Sequence, residues 1–209
     1  MSALFNLLSR SLFDTPVLQA AHTLLGQRLT RQADGQRASV LICEVEAYDG
    51  EQDLACHARS GRTRRNEVMY GPPGHAYVYF TYGMHWLLNC VTGAQGYPAA
   101  VLIRAALPFE NPAFIACNRP GIPPHLWLSG PARLTRALCI DGTFNGADLC
   151  SPGSLTLEQG FPVEDTLIAA SPRVGVDYAP EPWKSMPWRL TIRDPQAWLA
   201  SLPMPHGVV

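Results

Sequence analysis

Apolar and polar residues alternate with a period of two through residues 37–48. This sends Leu41, Cys43, Val45 and Ala47 to one side of an extended segment and Ile42, Glu44, Glu46 and Tyr48 to the other. The run predicts a strand, and with the strand-like stretch 27–32 and a turn at Asp34-Gly35 it predicts a hairpin. Upstream, Asp14-Thr15-Pro16 supplies a capping side chain and an early proline, and the helical spacing of Ala20, Leu24 and Leu25 ends at Gly26. Residues 49–74 turn polar and glycine-rich, as a long ordered loop or a short helix between strands would. An aromatic strand over 75–81 then meets the turn Tyr82-Gly83-Met84-His85, with 86–92 as its return strand. A further apolar strand spans 99–105, and a proline-rich connection leads to Leu128. Ser129-Gly130-Pro131 opens a helix through Leu134 and Leu138, and 189–192 reads as a short strand between prolines.

Composition narrows the class. The 209 residues are 47% hydrophobic and only 16% charged, which excludes intrinsic disorder, and 17 Gly with 19 Pro call for many turns. No repeat and no linker divides the chain, so residues 1–209 are expected to form a single domain. Sixteen Lys+Arg against 17 Asp+Glu give a net charge of -1, so any nucleic-acid surface must be local. Lys184 is the single lysine, which restricts amine nucleophiles to it and the amino terminus. The six cysteines, Cys43, Cys56, Cys90, Cys117, Cys139 and Cys150, contain no Cys-x-x-Cys pair and read as reduced thiols. The first thirteen residues are too polar for a signal-peptide core, and no apolar run spans a bilayer. The expectation is a chain that is not secreted, has no membrane partner and works in cytoplasm, nucleoid or nucleus.

Three groups of residues suggest chemistry. Glu46 and Tyr48 share a strand face, the arrangement needed to activate a water beside a stacked planar substrate; two solvated carboxylates on an exposed sheet face fit the same alternation. In 75–82, alternation puts His75, Tyr77, Tyr79 and Thr81 on one side and Ala76, Val78, Phe80 and Tyr82 on the other. Ring faces can sandwich a nucleobase, and Tyr82, Met84 and His85 at a turn tip suit a wedge between base steps. Arg59, Arg62, Arg64 and Arg65 lie among glycine and hydroxyl residues, either as a phosphate clamp or as a solvated loop. Ser129-Gly130-Pro131 before Arg133 and Arg136 offers helix-start N–H groups to an anion. No His/Cys/Asp/Glu set has metal-ligand spacing, so no metal or other cofactor is expected.

Glu44-Val-Glu46-Ala-Tyr48-Asp-Gly50, Asp53, Ala55-Cys-His57, Gly61-Arg62-Thr63, Arg65-Asn66, Met69, Pro73-Gly74, Tyr77-Val-Tyr79, Tyr82-Gly83-Met84 and Asn89 follow one another along the chain. Together with Val101-Leu-Ile-Arg104-Ala105, Ser129-Gly130-Pro131, Leu134 and Arg173-Val-Gly-Val176, they make the chain resemble the alkyladenine (3-methyladenine) DNA glycosylase family, from Leu12 to about Ile192. The resemblance implies an α+β domain with a curved, largely antiparallel sheet flanked by helices and a protruding hairpin. It further implies a monofunctional, metal-free enzyme that excises a damaged purine, alkylated or deaminated, from double-stranded DNA; a monomer is the default expectation. By motif, Glu46 is the general base for the attacking water and Arg104 helps hold that water or the carboxylate. Tyr48 stacks on one face of the extruded base, with His57 and Tyr79 on the other. Asn89 crowds the guanine amino group, and Tyr82 at the hairpin tip fills the hole in the duplex, with Met84 beside it on the DNA-facing tip. Arg59, Arg62, Arg64, Arg65 and Arg133 are the expected phosphate contacts. A non-catalytic module that uses the rings as a stacking platform is the alternative.

Three departures stand out. The family's usual Ala-Leu-Glu-Pro after the arginine is Ala105-Ala106-Leu107-Pro108 here, with Glu110 nearby; His85 stands where aromatic residues are common; and the connection before Ser129 is poor in basic residues, which implies weaker nonspecific DNA affinity or a steeper dependence on the arginine loop.

Overall fold

In the computed structural model, which describes residues 6–203, the alternating run becomes β2 (Gln36–Asp49) at the centre of an eight-stranded sheet. The first half of β2 pairs with β1 (Arg28–Ala33), and Glu44, Val45 and Glu46 pair with β8 (Arg189–Ile192). β5 (Ala99–Glu110) runs along its other edge. β3 (Ala76–Thr81), β4 (His85–Thr92), β5, β2, β1 and β6 (Leu155–Glu158) follow in that order, and β7 (Ile168–Ser171) joins through β8. Every pairing between these strands is antiparallel. Helices flank this sheet, so the fold is α+β as expected.

One face of the sheet carries the main core. Val45, Ala47, Val78, Leu88, Cys90, Val101 and Ile103 pack there. α1 (Val17–Leu24) covers β2 and β5, burying Val17, Ala20, Ala21 and Leu24 at helical spacing. Its cap differs from expectation: Pro16 holds the N-cap position and no side chain caps the helix, so Asp14 plays no such part. Gly26 ends the turn after α1 at φ +78°, where a Cβ would lie 2.0 Å from the Phe161 carbonyl oxygen, so only glycine fits. α3 (Pro131–Ala137) packs on β4 and β5.

The opposite face carries a smaller cluster, Cys56, Ala58, Met69, Tyr77, Val91 and Ala100, with Tyr48 and Tyr79 against it. Residues 49–74 cross this face as loop with two single-turn 3-10 helices, His57–Ser60 and Glu67–Tyr70. Buried Asn66 staples that loop: its amide donates to the His57 and Gly61 carbonyls (3.0 Å each) and its oxygen accepts the Thr63 N–H.

Several boundaries moved. β5 continues through Pro108 to Glu110. β4 pairs with it only as far as Leu102, and Pro108 lies beside a register shift, so the missing N–H does not break the ladder. The expected proline-rich connection therefore begins later, and it contains α2 (Pro112–Asn118), capped by Asn111. Leu107, where the family's glutamate would stand, is buried in the core, and Glu110 pairs instead with Arg37 (3.2 Å) and Ser39 (2.8 Å). Helix α4 (Pro195–Ser201), capped by Asp194, was not foreseen. Tyr82 belongs to the turn, not the strand, so the tyrosines of β3 share one face. The six cysteines are free, and among the described residues no helix is long and apolar enough to cross a membrane.

Candidate active site

Residues directly opposite in adjacent strands share a face, so the register builds the site. Tyr77 pairs with Asn89, Asn89 with Leu102, Leu102 with Glu46, and Glu46 with Arg189, one row across β3, β4, β5, β2 and β8. The next row holds Tyr48 opposite Ala100. Two loops close over these rows, residues 53–61 and 172–178. Between them lies a cavity of about 340 Å³, with Tyr48, His57, Tyr79, Asn89, Arg104 and Tyr178 in its wall.

Glu46 is 0% exposed, which overturns a solvated carboxylate. Its Oε2 accepts the Tyr48 hydroxyl (2.9 Å), and its Oε1 accepts the Val174 N–H (2.7 Å) and lies 3.3 Å from a terminal nitrogen of Arg104. Tyr48, Arg104 and Val174 all line the cavity, so the carboxylate sits directly behind its wall. Burial pushes the Glu46 carboxyl above the ordinary range; Arg104, the Val174 N–H and the Tyr48 hydroxyl resist this, and neighbouring Glu44 adds to it. Burial works against the charge on Arg104 too, yet Glu46 and Glu44 outweigh it and raise its pKa.

The Val174 N–H is held in place from behind by Arg173. Its guanidinium is buried, grips Asp53 with two prongs (one at 2.9 Å), and donates to the carbonyls of Ala47 (2.9 Å) and Trp183 (3.1 Å). It also lies 4.7 Å from the centre of the Tyr48 ring, on the face of the Trp188 ring as well. Asp53 in turn accepts the N–H groups of Asp49 and Ala55, so one carboxylate ties together both loops that close the cavity. Sequence reasoning quoted Asp53 and Arg173 within motifs but gave them no task.

On the opposite wall His57 meets Tyr79 edge to face, ring centres 4.5 Å apart, and its Nδ1 shares a hydrogen bond with the Tyr77 hydroxyl (2.9 Å). Burial, with Arg65 and Arg59 nearby, lowers the His57 pKa to about 4, so the imidazole is neutral at pH 7. The buried Asn89 amide donates to the Tyr77 carbonyl (3.0 Å), which orients its side chain at the cavity floor.

At the cavity mouth the β3–β4 hairpin projects Tyr82, which borders the cavity, and Met84, 83% and 67% exposed. Tyr82 and Gly83 both have positive φ (+52° and +67°), as primed hairpin turns demand, and the Met84 N–H closes on the Thr81 carbonyl (3.2 Å). Thr135 and Asn145 brace the hairpin, the first through the Trp86 carbonyl and the second through the Val78 N–H.

The arginine loop is less uniform than its sequence suggested. Arg59 covers the Tyr178 ring (4.8 Å) and Arg65 the Tyr79 ring (5.2 Å), both at the cavity rim. Arg62 is paired with Glu67 (3.0 Å), whereas Arg64 is exposed and has no ion-pair partner among the described residues. Arg133 folds back onto Ser129, so it occupies the start of α3. Arg119, from the connection thought poor in cations, stands close enough to Arg136 and Arg133 for their charges, after burial, to lower its pKa. Lys184 does not line the cavity and pairs with Asp177 (3.1 Å). Tyr178, whose hydroxyl donates to the Ala55 carbonyl (2.7 Å), was missed altogether; an exposed tyrosine in a polar loop carries no periodic signal.

The site is thus a buried carboxylate behind a ring-walled slot, with an exposed aromatic on a braced hairpin beside it. The profile of the methylpurine-DNA glycosylase family matches residues 11–196. A protein of Methanocella arvoryzae named as a 3-methyladenine DNA glycosylase is 49% identical over 87% of this chain and 90% of its own. Similarly named proteins of Myxococcus xanthus and Carboxydothermus hydrogenoformans are 46% and 44% identical, over 91% and 90% of this chain and 92% and 96% of theirs. The chain belongs to the methylpurine-DNA glycosylase family and is a monofunctional DNA N-glycosylase.

Proposed function

We propose that this chain, as a monomer, binds double-stranded DNA, flips a damaged purine into the ring-walled cavity and hydrolyses its N-glycosidic bond with a water activated by Glu46. The observation that carries the reading is the completely buried Glu46 carboxylate, its pKa raised by burial, behind the wall of a cavity lined by Tyr48, His57 and Tyr79. A carboxylate shifted upward toward the working pH is a better general base, worth about 10²–10⁴ in rate. Arg104 and the Val174 N–H hold Oε1, and the Tyr48 hydroxyl holds Oε2, so the carboxylate has a fixed aim.

The rest of the acceleration comes from the leaving group. Alkylated purines are cationic, and ring faces attract cations. Neutral His57 adds no repelling charge to the slot. Flipping costs a few kcal/mol of stacking and pairing, and the Tyr82 ring replaces part of that loss in the duplex. Deaminated purines such as hypoxanthine are neutral and gain nothing from that attraction, so the reading ranks them as slower substrates.

Incubation with methylated DNA, or with duplexes carrying one hypoxanthine or ethenoadenine, followed by assay of free base and abasic sites, tests the reading. Wild type releases base, and Glu46→Gln abolishes release while lesion binding persists. Normal turnover by Glu46→Gln would remove Glu46 as the base. Binding of every lesion without release by wild type would return the chain to a stacking platform.

A further inference from the structure

Glu44 sits two residues before Glu46 on the same strand face, in a stretch of β2 that is not regular. Val45 pairs with Ile103 and Glu44 with Ala105, so Arg104 has no partner across the strand; one step further, Ile42 pairs with Ala106 and leaves Cys43 unpaired. Two compensating bulges therefore flank Glu44. Bulges bend a strand and re-aim a side chain. Here the side chain is Arg104, whose Nε donates to Glu44 Oε1 (2.8 Å) while a terminal nitrogen lies 3.3 Å from Glu46 Oε1. Arg189 of β8, the register partner of Glu46, sends its guanidinium to the same Glu44 oxygen (3.3 Å). The result is a chain of alternating charge: Arg189, Glu44, Arg104, Glu46.

We propose that Glu44 is a positioning residue for the glycosylase reaction: it anchors Arg104 by its Nε edge, so that Arg104 is shared between two carboxylates and its terminal nitrogens are presented to Glu46 and the cavity. The proposal rests on the reading of Glu46 as the base. Without Glu44 the guanidinium has one carboxylate left to serve and turns fully onto Glu46, where it competes for the lone pairs that a water needs.

The groups facing Glu46 define the expected signs. They are Glu44 and Tyr48 on β2, Arg104 on β5, Arg189 on β8, Tyr79 on β3, and Arg173 with its partner Asp53 from the loops. Glu44 is the neighbouring anion, so its neutralisation lowers the Glu46 pKa, and a freed Arg104 lowers it further. Arg189 offsets Glu44, so its neutralisation acts in the opposite direction.

Single-turnover base release from a hypoxanthine duplex, measured from pH 4.5 to 8, tests this. Glu44→Gln is expected to lower the plateau rate by about tenfold and to move the acidic limb down by up to about one pH unit, with lesion-duplex affinity unchanged. Arg189→Gln moves the limb upward. Loss of the Glu44 charge alone moves the limb and leaves the plateau, so a wild-type plateau rate in Glu44→Gln overturns the proposal. If Glu44→Gln does not fold, Glu44→Asp, which keeps the charge but shortens the reach to the Arg104 Nε, decides: a wild-type plateau in that variant overturns the proposal. Glu46→Gln is run alongside: full release by that variant sinks the reading of the base, whereas its inactivity with a wild-type Glu44→Gln plateau sinks only the positioning role.

Discussion

Replacing Asp53 by asparagine removes one charge from the buried pair that closes the cavity and leaves Arg173 with an uncompensated charge. Both side chains are 0% exposed. In the native protein Arg173 has two prongs on Asp53 plus the Ala47 and Trp183 carbonyls, and Asp53 also accepts the N–H groups of Asp49 and Ala55. Asparagine keeps one acceptor oxygen and turns an NH₂ toward a donor, so a prong is lost. Breaking a buried pair from one side costs about 3–5 kcal/mol. In a domain of this size 1 kcal/mol moves Tm by about 2–4 °C, so Asp53→Asn is expected to lower Tm by roughly 6–20 °C. Thermal unfolding measures that directly. The double variant Asp53→Asn with Arg173→Gln restores much of the loss, because two neutral amides leave no buried charge. Base release stays low in the double variant, since the Val174 N–H no longer has its support behind Glu46. A Tm within about 2 °C of wild type for Asp53→Asn, or strictly additive losses in the double variant, refutes the reasoning.

Tyr82→Gly relieves a tyrosine held at φ +52°, so stability should rise by about 1 kcal/mol in urea unfolding. The same change slows base release from duplex but not from single-stranded substrate, where there is no hole to fill; equal slowing of both contradicts the wedge. His57 gives a pH signature. Its folded pKa, about 4, lies below the ordinary 6.5, so its contribution to stability is complete above pH 6.5 and is lost as pH falls toward 4, up to about 3 kcal/mol. The stability gap between wild type and His57→Phe should therefore change between pH 7 and 4.5, and a gap that stays constant removes the buried neutral imidazole from the account.

The parts of this site legible in the sequence are those set by local periodicity. Alternation alone put Glu46 and Tyr48 on one face of β2, and the Tyr82-Gly83 turn fixed a tip from which an aromatic had to project. The parts that were hidden depend on distant chain meeting: Asp53 and Arg173 are 120 residues apart, and nothing near either names the other. The bulges around Glu44 were equally invisible, because a register shift belongs to two strands at once. Other misses were readable. Asn111-Pro112 and Asp194-Pro195 each place a capping side chain before a proline, the same signal that was taken for a cap at Asp14, where no side chain caps. The strand expected over 99–105 runs on through Pro108, since a proline on a strand's unpaired edge is compatible with its continuing.

The charges on this sheet face are distributed unevenly, and the unevenness separates support from chemistry. Asp53 has a guanidinium to itself, bound by two prongs, with two backbone N–H groups besides. Glu46 is as deeply buried but shares Arg104 with Glu44, at 3.3 Å against 2.8 Å for its competitor. A carboxylate with full compensation is an anchor, since moving it would break several charge-assisted bonds at once. A buried carboxylate with partial compensation binds a proton more readily, and its pKa rises. The fold thus uses a fully buried, two-pronged ion pair to fix the loops and leaves the catalytic candidate with a shared one, which is the arrangement a general base requires.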